Sequence, residues 1–470
     1  MAVIEMTAAE PRRWDPTTYP LWHGSAPMTY VVGAAGPDDL WVRGDRAWLV
    51  DASGERYLDA RSGVGNMMLG YSRADITDAM HRQAVELPFV CTMRSERAVP
   101  VVVEHAQALV DAAPAGLTRA RFMHTGSSAI ESAVLISRSY HRNLGHKTKT
   151  VVVGLRHSYH GSTMAAMAVS GQPMNHLYFG PMPGGFAHIA GPEPECCSVC
   201  SGDHSLTSTC RDGLLAALET IGLEQIAAIV VEPVNGRSGV PLPDDYLVAL
   251  REICSRHDIV LIFDEVLSGF GRMGALFASE LSGVSPDLLC LAKGITSGYA
   301  PLAAVLATEH VYAAFDISAT SYFAHASSTD AHPVSCAAGL ATLRAFESES
   351  LVERGVEHGE RLASALAAAL SGTAYFKGVR ATGAFVGLDL VGPDGRPASM
   401  IMKRYLEAVC RSRRVLIDYT PDTVMLMPPL ILSDDEADLV AETLADVVST
   451  YDEAAVEEAL LRPPTLRGHR

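Results

Sequence analysis

Four apolar runs constrain the fold. Residues 150–155 (TVVVGL), 227–234 (AAIVVEPV), 258–266 (DIVLIFDEV) and 287–294 (DLLCLAKG) are rich in β-formers and lack polar alternation. A strand with one wet face alternates apolar and polar residues. A run that is apolar throughout suits a strand buried on both faces, as in a mainly parallel sheet covered by helices. Helical stretches over 98–113, 127–143 and 242–257 supply such covers. The helix over 127–143 is expected to open with a capping box from Ser128 to Glu131.

This alternation starts near residue 72 and ends near His332-Pro333, since proline favours the first turn of a new helix. Residues 71–333 are therefore read as a large α/β domain with a mostly parallel sheet. Residues 334–470 are read as a small α+β domain. Residues 1–70 form an N-terminal arm that completes the small domain, with two short strands around a turn in 41–60. Two or three domains suit a chain of 470 residues.

The formal net charge of −17 argues against a nucleic-acid partner, which would need a basic footprint. No stretch approaches the roughly 18 apolar residues of a membrane span, and the first residues lack the apolar core of a secretory signal. Nine cysteines are too sparse for a disulfide scaffold. A reduced, cytoplasmic setting is the expectation, with no membrane partner.

In open α/β folds, ligands sit beyond the carboxyl ends of the strands. Three polar residues stand where apolar runs stop: Glu232, Asp264 and Lys293. Desolvation lowers the pKa of such a lysine and suits it to Schiff-base chemistry. His124-Thr125-Gly126-Ser127-Ser128 opens a helix whose free amides suit a phosphate. Tyr159 adds an aromatic ring. A phosphate cup, an acid for a pyridinium, a lysine and a stacking aromatic meet the needs of pyridoxal 5'-phosphate.

With these residues in view the chain resembles a class III, or ω-type, aminotransferase of the fold-type I pyridoxal-phosphate enzymes. The resemblance covers nearly the whole chain. It rests on Phe263-Asp264-Glu265-Val266 running into Gly269-Phe270-Gly271-Arg272, and on Leu291-Ala292-Lys293-Gly294, with Lys293 placed 29 residues after Asp264. Ser158-Tyr159-His160-Gly161-Ser162-Thr163, Glu232-Pro233 and Pro428-Pro429-Leu430 follow in family order. The resemblance implies that Lys293 links to the cofactor and then moves the substrate proton. It implies that Asp264 pairs with the ring nitrogen, that Val266 and Tyr159 sandwich the ring with His160 beside them, and that Gly126 and Ser127 hold the phosphate. Glu232 is an acid behind the cofactor or on the substrate side. A family threonine that crosses to the partner subunit's phosphate aligns with Ser328, with Thr329 one step on as the other candidate. A homodimer with shared active sites is implied.

Two further motifs are weighed. Gly269-Phe270-Gly271-Arg272-Met273-Gly274 matches GxGxxG, but a dinucleotide site also needs an acid about 20 residues on, after a second strand. Cys197, Cys200, His204 and Cys210 approximate a zinc-knuckle spacing, and loop thiols without metal are the expectation.

Many ω-type relatives carry a carboxylate-clasping arginine ten residues before Pro-Pro, where this chain has Asp418. An anion there favours a cationic group on the substrate. The expected reaction moves an amino group from a small amine or amino-acid donor to an aldehyde or ketone acceptor, on an amino-sugar (aminoglycoside-type, of secondary metabolism) or polyamine substrate. The alternatives are a broad amine:pyruvate transaminase with Trp22 and Phe89 lining an aromatic pocket, or a decarboxylase, racemase or aminomutase on the same scaffold.

Overall fold

The computed structural model describes residues 19–24, 40–93, 97–192, 208–392, 395–453 and 456, with only the backbone for 208–212. Seven strands form the central sheet. Across it they run Leu117–Met123, Ala303–Thr308, Leu288–Leu291, Val260–Asp264, Ile226–Val231, Val151–Leu155 and Phe186–Ile189. Ala303–Thr308 is antiparallel to both neighbours, and the remaining pairs are parallel. Every residue of Ile226–Val231, Val260–Asp264 and Leu288–Leu291 is buried, which is why these segments read as unbroken apolar runs. Each fully buried Val, Leu or Ile contributes about 1.5–3 kcal/mol.

Two smaller four-stranded sheets complete the fold. One joins Trp41–Asp45, Trp48–Asp51 and Arg56–Asp59 to Val415–Leu416, which pairs in parallel with the third of these strands. The other is antiparallel and contains Phe376–Thr382, Phe385–Leu390, Val424–Leu426 and Asp418–Tyr419. A second core, with Leu58, Leu362, Val386, Leu406, Val415 and Leu444, ties the N-terminal strands to the C-terminal segments. Helix Pro333–Glu349 begins at the expected boundary, yet its Cys336, Ala338, Leu343 and Phe346 pack into the core of the large sheet. No described helix is long and apolar enough to cross a membrane.

One local expectation is corrected. Helix Gly126–Asn143 is capped by Thr125, whose side chain accepts from the Ser128 amide at 3.1 Å while the Ser128 hydroxyl accepts from the Thr125 amide at 2.9 Å. The box therefore lies three residues earlier than Ser128–Glu131. Glu131 instead accepts the Ala165 amide at 2.9 Å and pins the next helix.

Candidate active site

Strand register assembles the site. Val231 lies opposite Phe263, and Asp264 opposite Cys290. Glu232, Asp264 and Lys293 are thereby placed along one carboxyl edge of the sheet. They line a cavity of about 780 Å³ together with His124, Gly126 and Ser127 from the loop and helix after Leu117–Met123. Tyr159, His160 and Val266 line the same cavity.

Asp264 is buried at the end of its strand. One oxygen lies 2.8 Å from Nδ1 of the buried His160, and the other accepts the Val266 amide at 3.0 Å. Burial pulls the His160 pKa down, but the hydrogen bond and charge of Asp264 outweigh it, so the net shift is upward. Desolvation raises Glu232 to about 7, opposed by His160 and assisted by Asp264. Desolvation lowers Lys293 to about 8 despite the pull of Asp264 and Glu232. Lys293 also has φ +46°, a strained backbone value for a side-chain-bearing residue, at the start of a short 3₁₀ helix. Three titrating groups with displaced pKa values beside one cavity are equipment for proton transfer near neutral pH.

The cup at the helix start fits a phosphate. A side chain at Gly126 would place its Cβ 2.7 Å from Val266 Cγ1, so only glycine allows this approach. The Ser127 hydroxyl accepts the Ser162 amide at 3.0 Å and holds the loop at Gly161 (φ +134°) against the helix N-terminus. Free amides at the start of an 18-residue helix then face the cavity.

The opposite wall is apolar and rigid. Ser62, Gly63, Val64 and Gly65 all have positive φ (48°, 53°, 61° and 77°) and form a left-handed turn. Such a conformation costs roughly 1–2 kcal/mol at each side-chain-bearing residue. The Ser62 hydroxyl donates to Met427 O at 2.5 Å, and the Gly63 amide donates to Asp59 at 2.8 Å. The buried Arg272 of the Gly-Phe-Gly-Arg motif donates to Pro428 O at 2.5 Å and braces the same corner; desolvation lowers its pKa to about 9. Val64, Val234, Leu267, Met425 and Met427 give the cavity its apolar face.

Other expected residues fall elsewhere. Trp22 is 86% exposed, and Phe89 stacks on His332 with centroids 5.6 Å apart; neither lines the cavity. Asp418 is half-buried on its short strand, opposite Met425 in register, and does not line the cavity either. Burial raises its pKa, while the Tyr419 amide, Arg61 and Lys293 oppose the rise. Ser328 and Thr329 are exposed, and Thr329 meets His124 Nε2 at 2.7 Å within its own chain. Cys197, Cys200 and His204 lie outside the described residues, as does the Cys210 side chain.

Arg237 was not anticipated. It is the one arginine among the described residues that line the cavity. Its position five residues beyond Glu232, in the loop leaving a buried strand, was the available signal.

The class III aminotransferase family model matches residues 35–448. The chain belongs to the class III aminotransferases. It is 35% identical over 409 residues to an omega-aminotransferase of Caulobacter vibrioides, covering 86% of this chain and 92% of the relative. It is 30% identical over 409 residues to a putrescine–pyruvate aminotransferase of Pseudomonas aeruginosa, covering 84% and 87%. Among solved structures, a PLP-bound amine transaminase from an uncultivated Pseudomonas species superposes with a TM-score of 0.82 at 32% identity, covering 92% of this chain and 98% of that one. The aminotransferase thus has the fold-type I architecture and depends on pyridoxal phosphate, and its cup, buried acid and desolvated lysine fit that cofactor.

Proposed function

We propose that this aminotransferase moves amino groups between primary amines and small 2-oxo acids such as pyruvate. Arg237 carries the reading. Its backbone is fixed: the amide donates to Asn235 Oδ1 at 3.0 Å and the carbonyl accepts from the Thr420 hydroxyl at 2.9 Å. Its guanidinium is held more weakly, by the exposed Asp422 at 3.1 Å and by a 3.4 Å bond to His157 O. With Asp422 exposed and Arg237 half-buried, water screens this pair and weakens it. A substrate carboxylate entering the cavity can displace Asp422 and take both donors of the fork. When an amine without a carboxylate enters, Arg237 returns to Asp422 and the apolar wall receives the amine's body.

Position in the cavity supports the remaining roles. Gly126 and Ser127 hold the cofactor phosphate, and Tyr159 and Val266 flank its ring. Asp264, steered by His160, keeps the ring nitrogen protonated. Bound there, pyridoxal phosphate supplies the electron sink for deprotonation at the substrate carbon. Lys293 Nζ takes that proton and returns it, which its lowered pKa permits near neutrality. Glu232 keeps a negative charge or a proton within reach of His160 and Asp264. Leu177, Tyr178 and Phe179 are more than half exposed, on one short helix, a surface that suits cover by a second copy in a homodimer. In that dimer Ser328 or Thr329 reaches the partner's phosphate.

Arg237→Ala is expected to raise KM for pyruvate roughly ten- to a hundredfold, since a charged hydrogen bond contributes about 1.5–3 kcal/mol. Turnover with an uncharged aldehyde acceptor should stay within a few-fold of wild type. Equal losses on both acceptors would remove Arg237 from carboxylate recognition.

Asp418 favours a second reading, for diamine, polyamine or amino-sugar substrates, because its charge acts on Lys293 from the strand paired with the Met425 strand. On that reading Asp418→Ala reduces severalfold the preference for a diamine over the monoamine of equal length, and added salt reduces it in wild type. Unchanged discrimination in steady-state kinetics would leave Asp418 without a part in specificity.

A further inference from the structure

At the opposite edge of the sheet the end of helix Gly126–Asn143 meets the start of strand Val260–Asp264. The chain turns there through Leu144 and Gly145, with φ +87° at the glycine. The His146 amide donates to His141 O at 2.8 Å and the Gly145 amide to Arg142 O at 3.1 Å. This paired closure of a helix end folds His146 back beside His141. Asp258, itself at φ +50°, reaches the same point from the turn before the strand.

We infer that His141, His146 and Asp258 bind a divalent transition-metal ion of the zinc kind. His146 Nδ1 lies 3.2 Å and His141 Nδ1 3.8 Å from Asp258 Oδ2, and the three ligand atoms lie within 4.8 Å of one another. Ligands about 2.0–2.2 Å from a tetrahedral ion stand about 3.3–3.6 Å apart, so the two contacts to Asp258 nearly fit, while the two imidazoles, within 4.8 Å of each other, close together on binding.

The groups around the cluster orient it. His141 is fully buried, and its Nε2 lies 2.9 Å from Ala227 O. Donation to that carbonyl places the proton on Nε2 and leaves a lone pair on Nδ1, an atom with no hydrogen-bond partner. Asp258 Oδ1 accepts from the Tyr140 hydroxyl at 3.1 Å, and the Tyr140 oxygen lies 2.7 Å from His310 Nε2. Hydrogen bonds of this kind behind the ligands fix their orientation in metal sites. The negative end of the helix dipole also favours a cation.

The Lys149 ammonium acts on both His141 and Asp258 and opposes the ion. It is itself held by Ile226 O at 3.1 Å and His257 O at 2.9 Å. The competing arrangement is a His146–Asp258 ion pair alone. It leaves the buried Nδ1 of His141 without a partner, which a buried polar atom avoids. His146 is the exposed member of the cluster, which leaves the ion a path to solvent. Since Asp258 lies in the turn that leads into the strand Asp264 ends, the ion would brace the helix and strand that lead to the cavity and take no part in the reaction.

The test uses the untagged full-length holoenzyme, stripped with chelator and dialysed against zinc chloride. Metal analysis should find about one more zinc per chain in wild type than in His146→Ala, and zinc should raise the Tm of wild type only. The variant should bind zinc roughly tenfold or more weakly and keep wild-type turnover. Asp258→Asn, which retains an oxygen for Tyr140, should show the same loss. A Cys197→Ser/Cys200→Ser chain should keep the uptake and the Tm shift. Equal zinc content in wild type and His146→Ala, no uptake by either, or uptake lost only in the cysteine variant would overturn the site.

Discussion

Lys293→Ala is expected to lower turnover by about 10⁴-fold, the upper end of what a positioned acid–base group contributes. The visible absorbance of the lysine-bound cofactor should vanish with it, while Tm changes little. The pH dependence carries a sign. Cofactor capture needs the neutral amine, and burial lowers Lys293 to about 8. In wild type stripped of cofactor, the rate of capture should therefore rise through pH about 8 and level off above it. A rise postponed to the ordinary lysine range near 10.5 would show that Nζ is not desolvated. Near-wild-type turnover in Lys293→Ala would remove it from the reaction.

Asp264→Asn is expected to reduce kcat about 10²–10³-fold, comparable to losing one preorganised electrostatic contact in a closed site. Asparagine keeps the size and one oxygen for the Val266 amide, but not the charge. The hydrogen bond and charge of Asp264 are what raise His160 against burial, so the His160 pKa should fall in the variant, as NMR titration would show. A folded Asp264→Asn protein with both kcat and the His160 titration unchanged would show that the carboxylate sets neither property.

The cavity-lining carboxyl edge of the sheet was legible because the physics that buries a strand also marks its end. Ile226–Val231 and Leu288–Leu291 are apolar at every position, and Glu232 and Lys293 are conspicuous as the first ionisable groups past them. Asp264 closes a third run in the same way. Glycine signals were legible in part. Gly126 reads as a helix start, but its contact with Val266 depends on how two distant segments meet. Hydroxyl-rich helix starts are ambiguous by nature: Ser128 reads as the cap as readily as Thr125, because either side chain can serve an N-terminal amide.

Features built from segments far apart were not legible. Arg237 gains meaning only when the loop around Thr420 and Asp422 folds over it. Ser62 and Val64 carry no sequence mark of positive φ. Their turn is imposed by Met427 and Asp59. Trp22 and Phe89, named for the alternative with an aromatic pocket, lie off the cavity of the single chain, because an aromatic residue in a sequence does not declare which surface it meets. His141, His146 and Asp258 have no motif spacing, because a helix end, a turn and a strand start bring them together.

The most direct measurement of amino-group transfer uses the holoenzyme and an amine donor with no acceptor present. Absorbance of the bound cofactor should convert completely to that of its amine form, with about one equivalent of carbonyl product released per site, and pyruvate added afterwards should restore the starting spectrum and yield alanine. An unchanged spectrum across a panel of primary amines, or turnover of an amino acid that releases carbon dioxide or inverts its centre without loading the cofactor with nitrogen, would contradict it.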